Sequence, residues 1–192
     1  MTRPRAGRLF LGAAALLVLL TVAGALPVTH ALVVRSAPPG EPSGDALLVL
    51  PLRPGEEFEL RYVHSLNRFN VHEVLRYSRD GVLVVATQFV DGSGAGIGEV
   101  PGEAVFVDAG GGWERLDGLE RPIDDPMILR VGGVADQRIV LRDREFTLLE
   151  VARERDRVSI GRERSSPFRA LRAASILRDA PSAIERRTGE SD

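Results

Sequence analysis

The chain has 192 residues, enough for one ordinary domain with appendages. Its 25 basic and 27 acidic side chains leave a net charge of -2 and are spread along most of the chain, so no global field favours nucleic acid. The absence of cysteine excludes disulfides, thiolate metal sites, a cysteine nucleophile and a lipidated N-terminal cysteine.

Arg3, Arg5 and Arg8 precede an uncharged run from Leu9 to Leu26, followed by Pro27 and a mostly apolar stretch to Val34. The run approaches the roughly 20 residues that cross a hydrocarbon core, while Ala23-Gly24-Ala25 offers a small-x-small cleavage pattern. Residues 1–34 therefore read as a signal anchor or a signal peptide, an N-terminal transmembrane or signal helix in either case. The arginines belong on the cytoplasmic side, so everything after Leu26 is expected outside. An uncleaved segment holds the domain at the outer face of the cytoplasmic membrane, and a cleaved one releases it. Residues 35–45, RSAPPGEPSGD, are too rich in proline and glycine to bury surface and read as an extended stalk.

From Ala46 to Ile160, short apolar or alternating runs are separated by Pro-Gly, Asp-Gly, glycine-rich and Asp-Pro punctuation. This predicts an all-β domain over 46–160, a small antiparallel sandwich or barrel. The candidate strands are Ala46 to Leu52, Glu57 to Leu66, Val71 to Arg79, Val82 to Val90, Glu103 to Val107, Trp113 to Leu116, Met127 to Val131, Arg138 to Leu141 and Glu145 to Val151. Residues 161–192 are arginine-rich and read as a basic, frayed tail, with a short helix around Phe168 to Leu177.

Strand alternation puts Phe58, Leu60, Tyr62, His64 and Leu66 on one face, and Val71, Glu73, Leu75 and Tyr77 on the matching face of the next run. A four-residue turn at Asn67 to Asn70 would set His64 opposite Glu73, Tyr62 opposite Leu75 and, on the outer face, Arg61 opposite Arg76. A two-residue hairpin at Asp80-Gly81 would set Glu73 opposite Gln88 and Val71 opposite Val90. The result is a polar row of His64, Glu73 and Gln88 on an otherwise apolar face. Ionisable groups taken from water cost free energy unless paired, so the row is either a structural pair or a ligand-binding pair.

The third strand runs into Asp91-Gly92-Ser93-Gly94-Ala95-Gly96-Ile97-Gly98, whose glycines permit close backbone approach and an anion-binding nest of N–H groups. Row and loop together read as a small-ligand or anion-binding module or, alternatively, as a structural pair beside a wide turn. This spacing is neither G-x-G-x-x-G nor a Walker loop. Ser65 follows His64 in a strand and so points to the opposite face, which argues against a serine hydrolase. His72 likewise points away from Glu73, and no H-E-x-x-H helix exists, so no metal or cofactor site is expected.

Tyr62-Val63-His64-Ser65 followed by Glu73, then Gln88-Phe89 and Gly94-Ala95-Gly96, resembles an uncharacterised bacterial domain-of-unknown-function family encoded beside TAXI-type TRAP transporters. The likeness covers about Leu47 to Ile160. The resemblance implies an exported or membrane-associated accessory protein, genetically linked to a solute uptake system, with no established reaction. Its partners would be the TRAP permease or the solute-binding protein. The matching positions are Tyr62, His64, Ser65, Glu73, Gly94 and Gly96, and they carry over as candidates only.

Overall fold

The computed structural model describes residues 29–40, 44–91 and 105–166. The apolar segment up to residue 28, the glycine loop with Gly94 and Gly96, and the tail from residue 167, with the helix expected near Phe168, lie outside the described residues. Among the described residues, no helix is long and apolar enough to cross a membrane.

The described chain is all-β, as the spacing of short runs predicts. In order it forms β1 (Thr29–Ser36), β2 (Ala46–Leu52), β3 (Phe58–Val63), β4 (Asn70–Tyr77), β5 (Leu83–Asp91), β6 (Val105–Gly110), β7 (Trp113–Asp117), β8 (Arg121–Pro122), β9 (Met127–Arg130), β10 (Arg138–Leu141), β11 (Arg144–Thr147), α1 (Leu148–Val151) and β12 (Arg157–Ser165). Two antiparallel sheets result. A four-stranded sheet runs β2-β1-β12-β9, and an eight-stranded sheet runs β11-β10-β3-β4-β5-β7-β6 with β8 added beside β5. Both contribute to one core: Leu32, Leu50 and Ile160 from the first sheet join Phe58, Leu75, Leu83 and Ile139 from the second.

Several boundaries differ from the sequence reading, three of them away from β3–β5. Residues 29–36, assigned to the end of the apolar segment and the start of the stalk, form β1. Ala31, Leu32, Val33 and Val34 are all buried, so the run lacks the alternation that marks a half-exposed strand and merges with the apolar residues before it. Residues 161–165, assigned to the tail, complete β12. Two of their three charges are partnered: Arg35 Nε donates to Glu163 Oε1 at 2.5 Å, and the Arg162 guanidinium lies 4.3 Å from the centre of the Tyr77 ring. Finally, the expected strand from Glu145 to Val151 stops at Thr147, where one turn of helix, α1, begins.

Two side-chain arrangements tie loops to the sheets. The turn between β10 and β11 has positive φ at both Arg142 (52°) and Asp143 (60°), a two-residue hairpin geometry that usually takes Asn-Gly. Arg142 is held there by Glu56, through Nε to Oε1 at 2.5 Å and Nη2 to Oε2 at 2.7 Å, and by the Pro51 carbonyl at 3.0 Å. Burial pushes the Glu56 carboxyl up, but the hydrogen bonds from Arg142 and the Arg53 backbone, with the charges of both, outweigh it and hold the pKa below the ordinary range. Across the other sheet, Gly161 permits a close approach. A Cβ there would lie 2.8 Å from Asp125 Oδ1 and 2.9 Å from Pro126 Cβ. Asp125 in turn accepts the Tyr77 hydroxyl at 3.1 Å, so the glycine sets how closely this segment packs on β12.

Gly161→Ala is expected to destabilise the fold by about 1–3 kcal/mol, because a proline ring cannot yield as a flexible side-chain end would. Urea unfolding checks this, and an unchanged midpoint would show that the 125–126 segment moves aside at no cost.

Candidate functional site

The site is built on the inward face of β3, β4 and β5. Glu73 of β4 lies directly opposite Gln88 of β5, and Val71 opposite Val90, as the sequence pairing predicts. The register changes further along. The connection between the two strands is a three-residue loop, with Ser78 N–H donating to the Val82 carbonyl at 2.8 Å and Gly81 at φ 84°. The extra residue is absorbed by a bulge between Val74 and Leu75, so that Leu75 meets Val85 and Tyr77 meets Leu83.

The β3–β4 pairing departs from expectation by four residues. Glu73 stands opposite Leu60, Tyr62 opposite Val71 and Val63 opposite Asn70. His64 is therefore not across from Glu73. The strand ends at Val63, and residues 64–69 make a longer hairpin loop than the four-residue turn expected. His64 N–H donates to the Phe69 carbonyl at 2.8 Å and Arg68 N–H to the His64 carbonyl at 2.8 Å. The His64 ring stacks on Phe69 at 4.9 Å between centroids, and its Nδ1 accepts the Asn67 N–H at 3.3 Å. Ser65 is exposed on this loop, and Leu66, expected on the core face, is 82% exposed. On the outer face, Arg61 sits opposite His72 and Arg138 instead of Arg76, which pairs with Glu120.

The vacancy left in the row by His64 is filled by two other residues. The Tyr62 phenol lies beside the Glu73 carboxyl, close enough for each to shift the other's titration, and Arg121 Nη2 donates to Glu73 Oε1 at 3.2 Å. Gln88 Nε2 donates to the same oxygen at 3.4 Å. Glu73 is 8% exposed and Gln88 5%, so a buried carboxyl–amide pair is flanked by a partly buried Tyr62 and by Arg121, whose side chain is 41% exposed. Arg121 had no signal in the sequence. It belongs to β8, a two-residue strand too short for any periodicity, which pairs Arg121 with the inward-facing Val85.

The electrostatics follow from burial. Loss of water raises the Glu73 carboxyl above the ordinary carboxylate range, against the Arg121 charge and the hydrogen bonds from Tyr62 and Arg121. Burial and the neighbouring Glu73 charge likewise raise the Tyr62 phenol, which stays a neutral donor. The centre can hold a proton and orient donors around one carboxyl. It brings no serine or second carboxyl to Glu73 in the hydrogen bonds and ion pairs described above.

Outside this face, a cleft of about 350 Å³ opens over β3 and β4, bordered by Arg61, His72, Trp113, Arg138 and Glu145. Glu145 is 3% exposed and is neutralised by Arg138 at 3.0 Å and Arg61 at 3.5 Å. Asp91 accepts the Asn70 N–H at 2.6 Å, which ties the end of β5 to the base of the hairpin. Among the described residues, no group of three or more histidines or carboxylates is arranged to hold a metal ion.

Residues 58–148 match a family described as a domain of unknown function (DUF1850). The match runs from the first residue of β3 to the first of α1, and so covers the eight-stranded sheet with Tyr62, His64, Ser65, Glu73, Gln88 and Arg121. It leaves out β1, β2 and β12. No curated protein and no solved structure matches the chain significantly.

Glu73→Gln tests the electrostatic assignment. A carboxyl whose folded pKa is raised contributes stability that is fully present below its unfolded pKa of about 4.3 and is lost as pH rises through the folded value. Wild-type stability minus that of the variant should therefore fall as pH rises above about 4 in urea titrations. A flat or rising difference would mean that Glu73 is ionised in the fold at no cost.

Proposed function

We propose that the chain is a non-enzymatic accessory protein of a TRAP-type (TAXI) solute uptake system, held at the outer face of the cytoplasmic membrane by its N-terminal segment. Its partner is the permease or the solute-binding protein. The likeness of Tyr62, His64, Ser65 and Glu73 to the transporter-linked family motivates the system. The basic residues before the apolar run from Leu9 to Leu26 motivate the membrane and its side.

One geometric observation supports a contact role over a catalytic one. The motif is split between an anchor and a display. Tyr62 lies inside, beside Glu73, whereas the next residues, His64 to Phe69, leave the sheet as a hairpin braced by ring stacking and two backbone hydrogen bonds. That loop holds Leu66 in water, and an exposed large apolar side chain on a braced loop suits a pocket on a partner. A nucleophile would need the reverse arrangement, with Ser65 and His64 turned toward each other and shielded from solvent.

A tagged full-length chain, co-expressed with a TAXI-type permease and its solute-binding protein and extracted in mild detergent, should recover the permease or the binding protein. Leu66→Asp should lower that recovery about tenfold while leaving thermal unfolding unchanged. Recovery of neither protein would overturn the accessory reading, and undiminished recovery by the variant would remove the hairpin from the interface.

A further inference from the structure

From a second region, on the four-stranded sheet, we infer a binding site for a small carboxylate with an apolar body. A cleft of about 680 Å³ lies where the chain after α1 passes the ends of β9 and β12, a size suited to a small organic ligand. Four arginines line it: Arg130, Arg153, Arg155 and Arg157. Arg130 and Arg157 are direct cross-strand partners in the β9–β12 ladder, an arrangement of like charges that weakens a sheet. None of the four guanidinium groups is hydrogen-bonded or ion-paired to another described residue. Two carboxylates, Glu150 and Asp156, share the lining, so four arginines against two acids leave it a net positive charge of two; Asp156 Oδ2 accepts the Arg153 N–H at 3.1 Å.

The scaffold beneath these charges is well connected. Arg155 N–H donates to the Val131 carbonyl at 2.7 Å, Val131 N–H to the Asp156 carbonyl at 2.9 Å, and Ala37 N–H to the Arg157 carbonyl at 2.8 Å. The remaining lining is largely apolar, with Pro38, Leu47, Leu149 and Val151 facing the same space. Planar guanidinium forks match the two oxygens of a carboxylate, and the apolar lining matches a hydrocarbon or aromatic body attached to it. Such a pairing also accounts for a cross-strand arginine pair that gives nothing to the fold alone.

Calorimetric titration of the full chain in mild detergent with phenylacetate, phenylacetamide and inorganic phosphate tests the assignment. Saturable binding of phenylacetate is expected, with phenylacetamide and phosphate each at least about tenfold weaker, because each lacks one half of the recognised chemistry. The double variant Arg130→Gln/Arg157→Gln should bind phenylacetate about 10–100-fold more weakly. Without ligand it should unfold about 1–3 °C higher than the parent, since the opposed charges are gone. Equal binding of the acid and its amide, equal binding of phosphate, undiminished binding by the variant, or no saturable binding at all would each overturn the proposal. A lower unfolding temperature for the ligand-free variant would also overturn it, by showing that the arginine pair supports the fold.

Discussion

The antiparallel ladder between β1 and β12 is the constraint on which the rest of the structure depends. It runs from Thr29 opposite Ser165 to Ser36 opposite Val158, and the Thr29 hydroxyl donates to the Ser165 carbonyl across a sequence separation of 136. Closing so long a loop costs conformational entropy before any contact repays it, so the ladder is a non-local and slow step of assembly. Its return is the four-stranded sheet, which brings Leu32, Val34, Val158 and Ile160 onto the core of the larger one. Only with that cover is the inward face of β3, β4 and β5 dry.

The electrostatics of Glu73 are a consequence of the cover. In water its carboxyl would ionise freely and need no partners. Inside, it must either keep its proton or be surrounded by donors, and the structure places Tyr62, Gln88 and Arg121 around it. The same face leads to the base of the 64–69 hairpin, because Tyr62, beside Glu73 and paired with Val71, comes only two positions before the loop begins. A buried polar centre and an exposed apolar tip are thus two ends of one short segment. The first limits the motion of the strand, and the second is what a partner can touch.

The two sheets divide the surface features between them. The larger carries the hairpin and the neutralised Glu145 cluster, where every close positive charge has a carboxylate within reach. The smaller carries the opposed pair Arg130 and Arg157, in a lining where arginines outnumber carboxylates. A chain with a net charge of -2 does not need a local excess of guanidinium groups for solubility, which is why their concentration over an apolar lining reads as recognition.

Alternation along the chain by itself determined the all-β class, the faces of the strands and the ends of β2 and β10, which match the apolar runs at Ala46 to Leu52 and Arg138 to Leu141. It also determined that Glu73 and Gln88 point inward, side by side. It could not determine which residue of β3 meets Glu73. A pattern of period two is satisfied equally by any register shifted by an even number of residues, and the choice between His64 and Leu60 rested on the length of the 64–69 loop. The tertiary structure alone also decided that Arg121 completes the centre, through a strand too short to show a pattern, and that residues 29–36 pair with 158–165. Both depend on segments meeting across long stretches of chain, where local preference carries no information about the partner.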